Sequence, residues 1–196
     1  MGQLGYFSIG SLDGFIADPS GDFSWAEPDE EVHQYANDQL LGVDLHLYGR
    51  RTYELMTVWE TDLSFAAANR LYAEFAERWV DADKIVYSST LEEPVTRRTR
   101  LERTFDPEAV RALKDSTPGD LMIAGPTLAG QALRAGLVDV VDQVLLPIVI
   151  GGGLPMYPAG LRLDLELMDE RRFAGGAVAV RHRVVGPAQA TRSTAG

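Results

Sequence analysis

The chain has 196 residues, 45% of them apolar and 24% charged, with no cysteine and a net charge of −11. Such values describe an ordinary globular protein; they exclude a disulfide framework and a thiolate nucleophile, and they oppose binding to nucleic acid or anionic membrane surfaces. The same field repels phosphate ligands at long range, so any phosphate site has to be built locally, from arginines or helix N-termini.

Leu4 to Leu12 reads as a first strand, ended by the Asp13-Gly14 turn; Phe15 to Ala17 could continue it until Asp18-Pro19-Ser20-Gly21 breaks it. Pro28-Asp29-Glu30-Glu31 marks a helix start, followed by Val32, Tyr35, Ala36, Gln39 and Leu40 at helical spacing. Asp44 to Tyr48 is a second strand and Arg50 to Thr57 a helix start. Phe65 to Val80 reads as one amphipathic helix, with Phe65, Ala68, Leu71, Tyr72, Phe75 and Trp79 on its stripe. Lys84 to Ser88 is a strand, and Val95 and Leu101 fall on a short one. Asp106-Pro107 opens a helix, Asp120 to Ala124 is a buried strand, and Thr127 to Ala135 is a helix stopped by Gly136. Val140 to Ile150 reads as a long strand interrupted by Pro147. Leu163 to Met168, Phe173 and Ala177 to Val185 supply the last strands, with a hairpin turn at Gly175-Gly176.

The alternation of strands and helices implies an α/β fold: a mixed, mostly parallel sheet with helices on both faces and antiparallel strands added at the C-terminal end. One domain is expected over 1–186, and the small polar tail 187–196 is expected to fray. Met1 to Ile9 lacks the features of a signal peptide, and no segment reaches the roughly 18 apolar residues of a membrane span, so the expectation is a cytoplasmic protein.

Five segments could carry chemistry. In His46-Leu47-Tyr48-Gly49-Arg50-Arg51-Thr52-Tyr53-Glu54 a strand runs through glycine into a helix with two arginines, a pattern suited to phosphate; incidental surface arginines are the alternative. In Ala124-Gly125-Pro126-Thr127-Leu128 another strand meets glycine and a helix, where Thr127 could simply cap the turn. Tyr87-Ser88-Ser89-Thr90 ends a third strand with hydroxyls that could bind ribose or phosphate, or cap a turn. In open α/β sheets ligands bind at strand carboxyl ends, so three such ends together favour binding. Gly151-Gly152-Gly153 could give a nicotinamide room or be a flexible turn. Asp13, in Ser11-Leu12-Asp13-Gly14-Phe15-Ile16-Ala17, could donate a proton, orient a substrate, or only make a turn. The three histidines are scattered with no metal-ligand spacing, there is no P-loop or nucleophile elbow, and Trp25 could line a pocket.

The ordered set SLDGFIA, YGRRTYE, YSST, IAGPTLAGQAL and GLVD…VLLPIVIGGGLPMY resembles the dihydrofolate reductase-like superfamily, most closely its riboflavin-biosynthesis-reductase branch, from about Leu4 to Val185. The resemblance implies a three-layer sandwich around an eight- or nine-stranded mixed sheet, with NADPH laid across strand C-termini. It assigns Gly49, Arg50, Arg51 and Thr52 to the adenosine-side phosphates. Ser88 and Ser89 would meet the 2′-phosphate or adenosine ribose. Ala124, Gly125, Pro126, Thr127 and Leu128 would cradle the pyrophosphate. Ile16 and Ala17 would flank the nicotinamide, with Gly152 nearby. It also implies a small heterocyclic or carbonyl substrate, a homodimer, and a carboxylate on the first helix, a place that Glu30 or Asp29 would fill; that acid or Asp13 would assist protonation.

Overall fold

The computed structural model of the chain describes residues 2–186, so the tail expected to fray lies outside the described residues. In chain order the strands are β1 (Leu4–Ser11), β2 (Phe15–Ala17), β3 (Val43–Gly49), β4 (Asp83–Tyr87), β5 (Thr99–Glu102), β6 (Asp120–Ala124), β7 (Val140–Leu146), β8 (Leu154–Pro155), β9 (Asp164–Arg172) and β10 (Val178–Gly186). The helices are α1 (Glu30–Asp38), α2 (Arg50–Met56), α3 (Val58–Thr61), α4 (Leu63–Ala66), α5 (Arg70–Asp81), α6 (Pro107–Ser116) and α7 (Pro126–Arg134).

Eight strands form one sheet in the order β5-β4-β3-β6-β1-β7-β10-β9. From β5 to β7 all neighbours run parallel; β10 and β9 close the sheet antiparallel. β2 and β8 pair separately as a short antiparallel ribbon. The alternation of side chains along each strand sets the two cores. On one face Leu4, Tyr6, Leu45, Leu47, Leu121 and Ile123 pack under Val110 of α6 and Leu128, Ala129 and Ala132 of α7. On the other, Val32 and Tyr35 of α1 cover Phe7, Ile9 and Val144, while Trp79 of α5 covers Tyr48 and Val86. Each fully buried Leu or Ile contributes about 1.5–3 kcal/mol by leaving water. The three-layer, mostly parallel arrangement is the one expected from the sequence. No helix among the described residues is long and apolar enough to cross a membrane.

Four expected elements differ. The single helix over Phe65 to Val80 is broken: α4 starts at the Asp62 cap, and α5 starts afresh at Asn69, whose side chain accepts from Tyr72 N at 2.9 Å. Capping carboxylate and amide oxygens satisfy free backbone N–H groups, which here outweighs the continuity of the apolar stripe. Phe65 still reaches that stripe from α4, 5.1 Å from the Tyr72 ring. Strand β7 stops at Leu146, before Pro147, because proline has no N–H to give the ladder. Phe15 to Ala17 leaves the main sheet for the β8 ribbon. Val95 lies outside β5, which begins at Thr99.

Candidate cofactor cleft

Strand register brings the singled-out segments together. Gly49 of β3 lies level with Tyr87 of β4, and Tyr48 lies level with Ala124 of β6. The three strands therefore end side by side. The loops that follow them line a cleft of about 460 Å³ containing Gly49, Arg50, Arg51, Thr52, Ser88, Ser89, Gly125, Pro126, Thr127 and Leu128. Tyr87, Arg103, Phe105, Gln131 and Leu154 complete its wall.

The floor of the cleft depends on Gly125. Its φ is +88°, and a Cβ built there would collide with Thr52 Oγ1, so this close approach of the turn before α7 to helix α2 requires glycine. Gly125 also occupies the N-cap of α7, and no side chain caps that helix. The N–H groups of Thr127 and Leu128 at its start are left for a ligand, and the helix dipole favours an anion there. Thr127 is thus not the cap that a bare turn would need. Helix α2 is only one to two turns long, so its contribution at Arg50 and Arg51 is their side-chain charge.

The arginines are not equivalent. Arg50 is committed: its Nε donates to Glu54 Oε1 at 2.7 Å and its Nη1 to Thr90 Oγ1 at 2.8 Å. Arg103 donates to the carbonyls of Leu91 at 2.5 Å and Ser88 at 3.3 Å, which holds the loop after β4 in place. Arg51 is exposed at the cleft and makes no ion pair among the described residues. Ser88 is buried, and its Oγ accepts from Leu91 N at 2.9 Å and Thr90 N at 3.2 Å; its hydroxyl shapes the turn, while Ser89 remains exposed. A cluster of three arginines thus opposes the background charge at one place.

Arg103 escaped the sequence reading. The strand before it, Thr99-Arg100-Leu101-Glu102, is mostly polar and lies at the sheet edge, so it carries almost no apolar signal and its end did not register as a strand end. Leu154 was missed because β8 is only two residues long.

Other expected site residues stand apart from this cleft. Ala124 packs beside the Tyr48, Tyr53 and Trp79 cluster. Ala17 is one strand away, paired with Leu154, and Ile16 lies beside it in β2. Gly152 does not line the cleft; it sits in the turn before β8. Asp13 holds that turn, accepting from Gly151 N at 2.8 Å and Ile150 N at 3.2 Å. The neighbouring Ser11 hydroxyl, followed by the Gly151 and Ile150 N–H groups, holds its carboxyl below the usual carboxylate range. At neutral pH Asp13 is an ionised acceptor with no proton to give. Glu30 lies beside a separate hollow of about 260 Å³ lined by His33, Arg70 and Tyr72 among others. Asp29 caps α1, accepting from Val32 N at 2.9 Å. Trp25 is half-buried and donates to Asp22 O within its own loop. His46 is fully buried, and that burial, with Lys84 nearby, pushes its pKa down to about 3, so it stays neutral.

The chain has the dihydrofolate reductase-like fold, with a cleft open at its strand ends. The RibD C-terminal domain model matches residues 4–179, and the chain belongs to that family. It is 27% identical over 177 residues to the uncharacterised protein YyaP of Bacillus subtilis, covering 87% of this chain and 88% of YyaP. A crystal structure from Shewanella sp. PV-4, described as a candidate riboflavin biosynthesis protein, superimposes with a TM-score of 0.71 at 19% identity, covering 93% of this chain and 98% of that one. Dihydrofolate reductase from Enterococcus faecalis, solved with NADP(H), gives a TM-score of 0.59 at 13% identity over 94% and 97% of the two chains. These two likenesses show the shared fold.

Proposed function

We propose that the cleft binds NADPH and that the protein is an NADPH-dependent reductase of a small heterocyclic or carbonyl substrate. The observation that carries this reading is the convergence of three strand ends on one cleft that offers an uncapped helix start at Gly125 and an uncommitted Arg51. When bound, NADPH supplies the hydride. The N–H groups at the start of α7 would take the pyrophosphate, and Arg51 would take the 2′-phosphate in a charge-assisted contact. Arg50 and Arg103 would act mainly by fixing the loops around them. Membership of the RibD C-terminal domain family supports the reductase reading.

Titration calorimetry with NADPH and NADH tests it. Binding of NADPH is expected, and Arg51→Ala should weaken NADPH by at least about tenfold, in line with the 1.5–3 kcal/mol of a charged hydrogen bond, while leaving NADH nearly unchanged. Equal losses for both would remove the 2′-phosphate assignment, and no NADPH binding by the wild type would remove the whole reading.

A second reading is a nucleotide-binding relative that has lost the chemistry. It is favoured by the positions of Asp13 and Glu30, neither of which presents a proton donor to the cleft. NADPH oxidation with dihydrofolate, a ribosylaminopyrimidine and a panel of carbonyl compounds separates the two, since turnover of any of them rejects the second.

A further inference from the structure

Helices α7 and α1 begin in opposite ways. Helix α7 starts at Gly125 with no side-chain cap and no acidic residue in its first turn. Helix α1 starts at Asp29, whose carboxylate caps Val32 N, and Glu30 and Glu31 fill its first turn. Free N–H groups and the helix dipole draw an anion to the first start; three carboxylates close the second to one.

The contrast extends along the chain. The first 49 residues carry nine Asp or Glu and no Lys or Arg, and seven of the nine lie between Asp13 and Glu31. None of those seven enters an ion pair among the described residues. Neutral donors hold several of them instead. Asp18 Oδ1 accepts from Ser20 N at 2.8 Å and Asp22 N at 3.0 Å, and Glu31 Oε2 accepts from Ala174 N at 2.7 Å. The Ser20 hydroxyl holds the Asp18 carboxyl below the usual carboxylate range. Bonds of this kind favour the carboxylate and leave its charge uncancelled. Two arginines approach from other elements. Arg70 shares a hollow with Glu30 but donates to Glu74 and Gln34, each at 3.3 Å, and Arg171 lies over the Tyr35 and Phe173 rings. His33 lines the same hollow, is only 7% exposed and has no partner for Nδ1. Burial holds its pKa below the ordinary value, so it offers a neutral polar group.

The acidic segment borders the cleft. Leu154 of the cleft wall pairs with Ala17, and a Cβ built at neighbouring Gly153 would collide with Ala17 O and with the Asp18 backbone. The short 3-10 turn Ser24–Ala26 then packs against β1, which lies beside β6 in the sheet.

We propose that the space between the end of β1 and the start of α1 takes the substrate and selects it by charge, admitting uncharged or cationic molecules and turning away phosphorylated or carboxylated ones. This rests on the reductase reading above, in which the nicotinamide end of the cofactor reaches Leu154. Phosphate is then received on one side of the β2–β8 ribbon, at α7 and Arg51, and refused on the other.

Two measurements test it. The first needs no substrate: paramagnetic relaxation of backbone amides by amino-TEMPO and carboxy-TEMPO, probes of like size and opposite charge, on the full chain without cofactor. Amides of Ile16 to Glu31 should relax faster with the cation, and those of Ser89 and Thr127 faster with the anion. Equal or faster relaxation by the anion at Ile16 to Glu31 overturns the proposal. The second titrates a ribosylaminopyrimidine and its 5′-phosphate into the NADPH-loaded protein. The unphosphorylated form should bind at least about tenfold tighter, and Glu27→Lys/Glu30→Lys should narrow that ratio. A phosphate form that binds the wild type equally well or better overturns the proposal; where neither form binds, the nitroxide comparison decides. The two readings fail separately: absent NADPH binding with the nitroxide contrast present removes the cofactor reading, whereas NADPH binding without that contrast removes only the charge selection.

Discussion

At Gly125 the left-handed backbone and the nearness of Thr52 act together, so Gly125→Ala combines strain with a steric clash. The expected cost is at least about 1 kcal/mol, read as a lower urea midpoint; an unchanged midpoint would show that the turn and helix α2 can separate freely. Asp142 makes a different residue-scale test. It is buried on β7, accepts from the Tyr35 hydroxyl at 2.9 and 3.0 Å, and lies 3.7 Å from Arg181. Burial raises its pKa to about 6, against the opposing pull of Tyr35 and Arg181. A raised carboxyl pKa favours the protonated native state. The resulting stability is therefore fully present below the unfolded value near 4 and is lost as pH rises through about 6. Wild type should thus lose up to about 3 kcal/mol relative to Asp142→Asn between those limits and hold level above them, measured by urea unfolding across pH. A flat difference would place Asp142 in a more water-like setting than its burial implies.

Elements show where sequence pattern suffices and where it fails. The segments around Gly49, Ser88 and Gly125 were legible because a strand, a turn residue and a helix start follow in order, and parallel register then levels their ends. Helix α5 was blurred because the apolar stripe continues from Phe65 across the gap, while the deciding signal was a single cap at Asn69. Asn69→Ala should destabilise the protein by about 1 kcal/mol and increase amide exchange in the first turn of α5; an unaffected helix would mean that packing alone sets its start. The role of Asp13 was illegible for another reason. Its partners, Ile150 and Gly151, lie far along the chain, and no local pattern announces a contact of that range. Asp13→Ala should speed exchange at Gly151–Gly153 while leaving the core strands protected. Unchanged exchange there would remove its positioning role.

For the whole molecule, the alternation of strands and helices already implied a layered α/β sheet, and the final run of strands implied its antiparallel end. The order in which β6 inserts between β3 and β1 was not legible, because nothing local in Asp120–Ala124 states which neighbours it will take. That insertion places the Gly125 loop beside Thr52 and makes the cleft. A chain of net charge −11 thus brings Arg50, Arg51 and Arg103 to one opening, a local basic group within an acidic sequence. The most direct test of this arrangement is a crystal structure of the protein with NADPH diffused in. The expected result is pyrophosphate density at the N-terminus of α7 with the 2′-phosphate against Arg51; cofactor density at another strand end, or none at saturating NADPH, would contradict it.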